Sequence, residues 1–244
     1  AYHFTLPKQF INAGRIEFVP RALDGATALL VQMTYVPVLK LGGEKALMLW
    51  VFISGWVAVY AVYVLARRHL SEEWSLALAL VFATTPAVVF GAGSGQVEVR
   101  IIIFVIASVL AVTTSKSNGT SFILLAGLLA GFFAGSKYLG LIFATLVGLA
   151  VLFQRRRISD GFIFSLGVVL AGSQWYLWNF YHVGDPMFPM LFEWLGKSGT
   201  TFWSNEHQFQ FRNVFLPDHK SVPSNLFWLI AFPFKATLDG ELAF

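Results

Sequence analysis

Long stretches of this chain contain no Asp, Glu, Lys or Arg: 46–66, 74–97, 101–115, 117–136, 138–154 and 161–184. Apolar residues fill them without the alternation of a half-buried strand, so each predicts a helix apolar around most of its circumference. A helix needs roughly 20 apolar residues to cross about 30 Å of hydrocarbon. The runs 46–66, 74–97 and 161–184 reach that length, and 101–115 reaches it when started near 97. The runs 117–136 and 138–154 are shorter than those three and meet at Gly135-Ser136-Lys137. They predict a hairpin of two short helices whose turn lies below the membrane surface, in protein or facing water. Residues 25–39 are apolar but short and contain Pro37, which predicts a helix lying at the interface.

Composition supports a membrane solvent. Hydrophobic residues make up 57% of the chain and charged ones 12%, about half the charged share of a soluble domain. Mean hydropathy is +0.67. Such a chain is too apolar for disorder and too poor in charge for a water-covered surface. It has no cysteine, which excludes disulfide scaffolds, cysteine zinc sites and thiol catalysis. The net charge of +4 calls for no nucleic-acid partner. The expected fold is an all-α, polytopic helical membrane protein with about six spans.

Charge also sets the expected orientation. Arg67-Arg68, Lys116 and Arg155-Arg156-Arg157 are each separated by two spans, so all three fall on one side, the cytoplasmic one by the positive-inside rule. The expected organisation is an outer loop with an interfacial helix over 1–43 and a transmembrane bundle over 44–181. A second outer loop over 182–223 and the start of a further span over 224–244 complete it. Starting at Ala1 without Met or a first span, the chain is expected to be a fragment of a longer protein.

The polar residues gather on the predicted outer side, in four segments. They are Tyr2-His3 with Pro7-Lys8, the glycine-rich stretch leading to Glu98 and Arg100, the Ser136-Lys137-Tyr138 turn, and Trp175 to Pro189. Mid-span charge is nearly absent, which weakens an ion-coupled transporter. Gly91, Gly93 and Gly95 follow a membrane run rather than a strand, so a nucleotide loop fits poorly. Gly127, Gly131 and Gly135 share one helix face, which predicts close helix packing.

These segments resemble the GT-C superfamily of glycosyltransferases, and within it the bacterial family 39 related to protein O-mannosyltransferases and the lipid A aminoarabinose transferase. Tyr2-His3 with Pro7-Lys8 matches that family's Tyr-His-x-x-x-Pro-Lys. Gly127, Gly131, Gly135, Ser136, Lys137 and Tyr138 match its glycine-rich Lys-Tyr motif, with Ser for Thr. Trp175, Asn179, Gly184, Asp185, Pro186, Phe188 and Pro189 match its Trp…Gly-Asn-Pro pattern, with Asp for Asn. The resemblance implies a GT-C-like bundle that moves a sugar from a polyprenyl-phosphate donor to an acceptor at the outer face. The acceptor, whether protein, lipid or glycan, stays open. The same resemblance places the family's catalytic carboxylate just upstream of Ala1.

Transfer of this kind needs a carboxylate to activate the acceptor and cations to stabilise the departing phosphate. Glu98 and His3 are the expected catalytic residues. Lys137, Arg100, Tyr2, Lys8 and Tyr138 are the expected phosphate or substrate contacts. Each has a plainer reading: Glu98 as a paired interfacial carboxylate, Lys137 as a snorkelling side chain, His3 as a satisfied interfacial histidine, Tyr2 as part of an aromatic belt. Lys8 and Arg15 could equally lie on a solvated loop. Asp185 reads as a turn residue that bonds its own backbone. His182, His207 and His219, with Glu206 and Asp218, lack tight metal-ligand spacing; no metal site is predicted and no cofactor is required, although the transfer could use a divalent cation. The alternatives are a lipid-carrier or solute transporter, and a non-catalytic membrane subunit binding lipid or partner helices.

Overall fold

The computed structural model describes residues 2–19, 27–196 and 203–215. Among these, twelve helices and no strand form an all-α membrane protein. The chain divides into two compact units, Ala1–Lys197 and Ser198–Phe244. In the second unit, α12 (Asn205–Phe215) is started by Ser204, whose hydroxyl accepts the His207 backbone N–H at 3.3 Å. Trp203 stacks on His207 and donates to Gln208 Oε1 at 2.8 Å. His219, Asp218 and the expected span after 224 lie outside the described residues.

The first unit begins with α1 (Tyr2–Ala13), which no apolar run foretold. Its His3, Leu6 and Phe10 are buried, a spacing that forms one helix face. Leu6 and Phe10 pack with Ala28, Leu29 and Trp175. After α2 (Leu30–Met33) comes α3 (Tyr35–Ala66), which breaks at Gly43. There φ is +66°, a left-handed conformation costly to any side chain. The break separates the short segment that contains Pro37 from a membrane-length helix.

The run 74–97 bends by 63° between α4 (Glu72–Thr84) and α5 (Pro86–Ser94). Pro86 denies the residue before it the helical region, and Thr85 is accordingly extended. Next come α6 (Glu98–Asn118), α7 (Thr120–Ala134) and α8 (Leu139–Arg155). The run 161–184 bends by 58° between α9 (Ile158–Gly172) and α10 (Gln174–Val183), and α11 (Phe192–Leu195) follows. Among the described residues α3 alone is long and apolar enough to cross a membrane, and up to three spans result when each bent pair counts as one. Charge-free runs do not register a backbone break, so the sequence did not foretell the bends within 74–97 and 161–184.

At the centre lies α7, whose Ile123, Ala126 and Ala130 pack with Ala111, Ala144, Val147, Val151 and Phe164. Apolar side chains such as Leu49, Phe52, Trp56, Leu146, Phe153 and Phe162 stay exposed on the outside of the unit. That is tolerable when the solvent is lipid and is an aggregation hazard in water. The predicted close packing of α7 occurs against α9: a Cβ at Gly131 would lie 2.4 Å from the Val168 carbonyl oxygen, and one at Gly127 2.1 Å from that of Phe164. Gly131→Leu should therefore lower stability by about 2 kcal/mol or more through forced separation of the helices. Gly93→Ala, which meets nothing within 4 Å, should be neutral; thermal unfolding in detergent compares the two.

Candidate functional site

Four connections meet at one end of the first unit: α1, α2, the α5–α6 junction and the α7–α8 turn. Their mutual placement has local causes. Leu30 N–H donates to the Gly135 carbonyl at 3.0 Å, which ties α2 to the end of α7. Tyr35 Oη donates to the Gly95 carbonyl at 3.1 Å, and the Phe4 ring meets Tyr35 edge-on at 5.7 Å. Gly95 ends α5 in the left-handed region, with φ +77°, and a Cβ there would lie 1.9 Å from the Phe4 ring. Both the turn and the approach of α1 require glycine at this position.

The cluster these contacts create holds His3, Glu98, Lys137 and Arg100. Glu98 opens α6, where a carboxylate suits the helix dipole. It forms an ion pair with Lys137, with side-chain exposures of 51% and 39%. The pair is therefore reachable from outside. Arg100 is buried, donates to the carbonyls of Gln96 and Val51, and lies over the Tyr35 ring at 5.7 Å. Its Nε has no hydrogen-bond partner. The guanidinium borders a cavity of about 250 Å³ lined by apolar residues such as Trp50, Ile53, Val57, Ile103 and Phe104.

His3 is also buried and accepts a hydrogen bond from Gln32 Nε2 at Nδ1, 3.2 Å away. Burial lowers its pKa from 6.5 to about 4; Glu98 opposes this, and Lys137 and Arg100 add to it. The imidazole is neutral at physiological pH. The cluster thus carries two cations against one carboxylate, a net positive charge suited to an anion.

The other predicted residues fall elsewhere. Lys8 pairs with Glu44 beside the Gly43 break, and Arg15 pairs with Glu17. Tyr138 does not join the cluster: its hydroxyl donates to the Phe188 carbonyl at 2.8 Å and lies 3.4 Å from Asn179 Nδ2. It fastens α8 to the segment after α10. Tyr2 begins α1, and its side chain lies outside the described residues. Asp185 takes the turn role, accepting Met187 N–H at 2.7 Å and Leu191 N–H at 3.0 Å; burial raises its pKa and those bonds oppose the rise. Among the described residues no group of three His, Asp or Glu side chains could hold a metal ion.

Two members of the cluster were not anticipated. Gln32 and Tyr35 are buried polar residues three positions apart within the apolar segment 25–39. That spacing puts both on one helical face, and it was the available signal.

The depressed pKa of His3 has a consequence for stability. An unfolded histidine binds its proton near pH 6.5, whereas the buried one resists until about 4. The His3 contribution is therefore complete above pH about 6.5 and lost as pH falls toward 4, by up to about 1.4 kcal/mol per pH unit. His3→Gln should flatten that part of the acid-side stability profile, read as the wild-type minus variant melting temperature across this range.

Comparison with known families adds one match. No curated protein and no solved structure matches the chain. The family model of glycosyltransferase family 87 matches residues 25–235, which include Glu98, Arg100 and Lys137. The motif resemblance pointed to family 39, and the glycosyltransferase assignment is what the two readings share. The chain belongs to glycosyltransferase family 87.

Proposed function

We propose that this glycosyltransferase takes its sugar from a polyprenyl-phosphate donor and delivers it to an acceptor at the outer face of the membrane, as the family-39-like, GT-C-like motifs imply. The observation that carries the reading is the exposed Glu98–Lys137 ion pair beside buried Arg100 and neutral His3. The donor phosphate takes Lys137 away from Glu98. Freed of its cation, the Glu98 carboxylate accepts the acceptor's hydroxyl proton as the oxygen attacks the anomeric carbon. The bond from that carbon to the phosphate oxygen breaks, and the phosphate leaves on its polyprenyl chain with Lys137 compensating its charge. His3 holds the polar wall of the site without adding charge. The apolar cavity beside Arg100 supports a greasy donor, because it offers a hydrocarbon chain a place next to a cation.

Glu98→Gln in the full-length protein should lower turnover by about 10²–10⁴-fold. Lys137→Ala should lower it by about 10²–10³-fold. A polyprenyl-phosphate sugar should serve as donor where a nucleotide sugar does not. Wild-type turnover in Glu98→Gln, or use of the nucleotide sugar alone, would overturn the proposal. The sequence given contains no cysteine, so single introduced thiols report sidedness here: Lys8→Cys should react with an impermeant maleimide from outside, and Arg156→Cys only after permeabilisation.

A further inference from the structure

Outside this cluster, α8 and α9 are joined by the short turn Arg156-Arg157 and leave an open groove of about 460 Å³ between them. Its floor is made of small residues, including Ala144, Gly148 and Gly161, and its rim of Leu149, Leu152 and Phe162. It runs from Leu152 and Ile158 at the turn to Leu141 and Val169. Eleven positions of helix make that about 17 Å, the scale of one acyl chain in one leaflet, half of the roughly 30 Å hydrocarbon core.

Charge at the turn selects the headgroup. At this end of the bundle Arg67 donates to the Leu70 carbonyl, Arg68 to Thr113 and Thr114, and Arg155 to buried Asp160 at 2.9 Å. Arg156 and Arg157 are exposed and have no carboxylate partner among the described residues. Exposed Phe153 and Ile158 flank them. Two cations with no carboxylate partner among the described residues, set at the mouth of an apolar channel, match an anionic headgroup on a hydrocarbon tail.

We propose that the α8–α9 groove binds one anionic glycerophospholipid, its acyl chain along the groove and its phosphate on Arg156 and Arg157. By the positive-inside rule the lipid comes from the inner leaflet. The site is distinct from the Glu98–Lys137 cluster and does not depend on the donor proposed for it.

Native mass spectrometry of the detergent-purified full chain, titrated with phosphatidylglycerol or phosphatidylcholine, tests this. Phosphatidylglycerol should bind in preference and raise the melting temperature. Arg156→Gln with Arg157→Gln should weaken it by roughly tenfold or more, and Thr145→Phe with Ser165→Phe, which fill the groove, should abolish it. Arg67→Gln with Arg68→Gln should leave it unchanged. Equal binding of both lipids overturns the proposal, as does full binding by the groove-filled variant or an equal loss in the Arg67 and Arg68 variant. The Arg156 and Arg157 changes lie on an exposed turn and decide the matter even where the groove-filling pair fails to fold.

Discussion

The close approach of α7 and α9 is the constraint on which the first unit is built. At Gly127 and Gly131 no side chain separates α7 from the backbone of α9, and Gly167 and Gly172 reciprocate from the other helix. In lipid there is little hydrophobic gain from bringing two apolar helices together, so contact area and backbone proximity must supply the attraction. Small residues on both faces provide it. Once α7 is held this way its end is held too, and the turn carrying Lys137 lies where α2 can bond the Gly135 carbonyl. Tyr176 of α10 donates to the Ala134 carbonyl at 2.6 Å, so the bend after α9 is anchored to the same point.

That rigid end lets polar groups survive beside an apolar bundle. Arg100 is the costliest of them, since burying a charge requires hydrogen bonds or opposite charge nearby. Two backbone carbonyls and the Tyr35 ring meet that requirement in part. Glu98 lies two residues away but is engaged by Lys137. His3 avoids the problem by remaining neutral, because burial and two neighbouring cations outweigh the nearby carboxylate. Exposed and buried charges therefore divide the work: the Glu98–Lys137 pair can exchange partners with a ligand, whereas Arg100 is fixed in place.

Several residues of the wider resemblance make contacts that hold the chain's turns together. The residues of the Trp…Gly-Asn-Pro pattern close a turn through Asp185, and Tyr138 with Asn179 braces that turn against α8. Lys8 reaches Glu44 beside the break at Gly43. These residues set where the chain travels after each helix, and that determines which loops share an end.

Helicity and the membrane solvent were legible in the sequence, because long charge-free runs dictate both through local chemistry alone. The candidate residues were legible one by one, as isolated polar positions beside apolar runs. Their company was not. That Gln32 meets His3, that Tyr35 reaches Gly95, and that Arg100 is buried while Lys8 departs to Glu44 all follow from where the backbone breaks at Gly43, Pro86 and Ser173 and how closely α7 meets α9. Run length and spacing describe one helix at a time; which side chains of different helices touch is decided by how the helices cross, and only the assembled structure contains that.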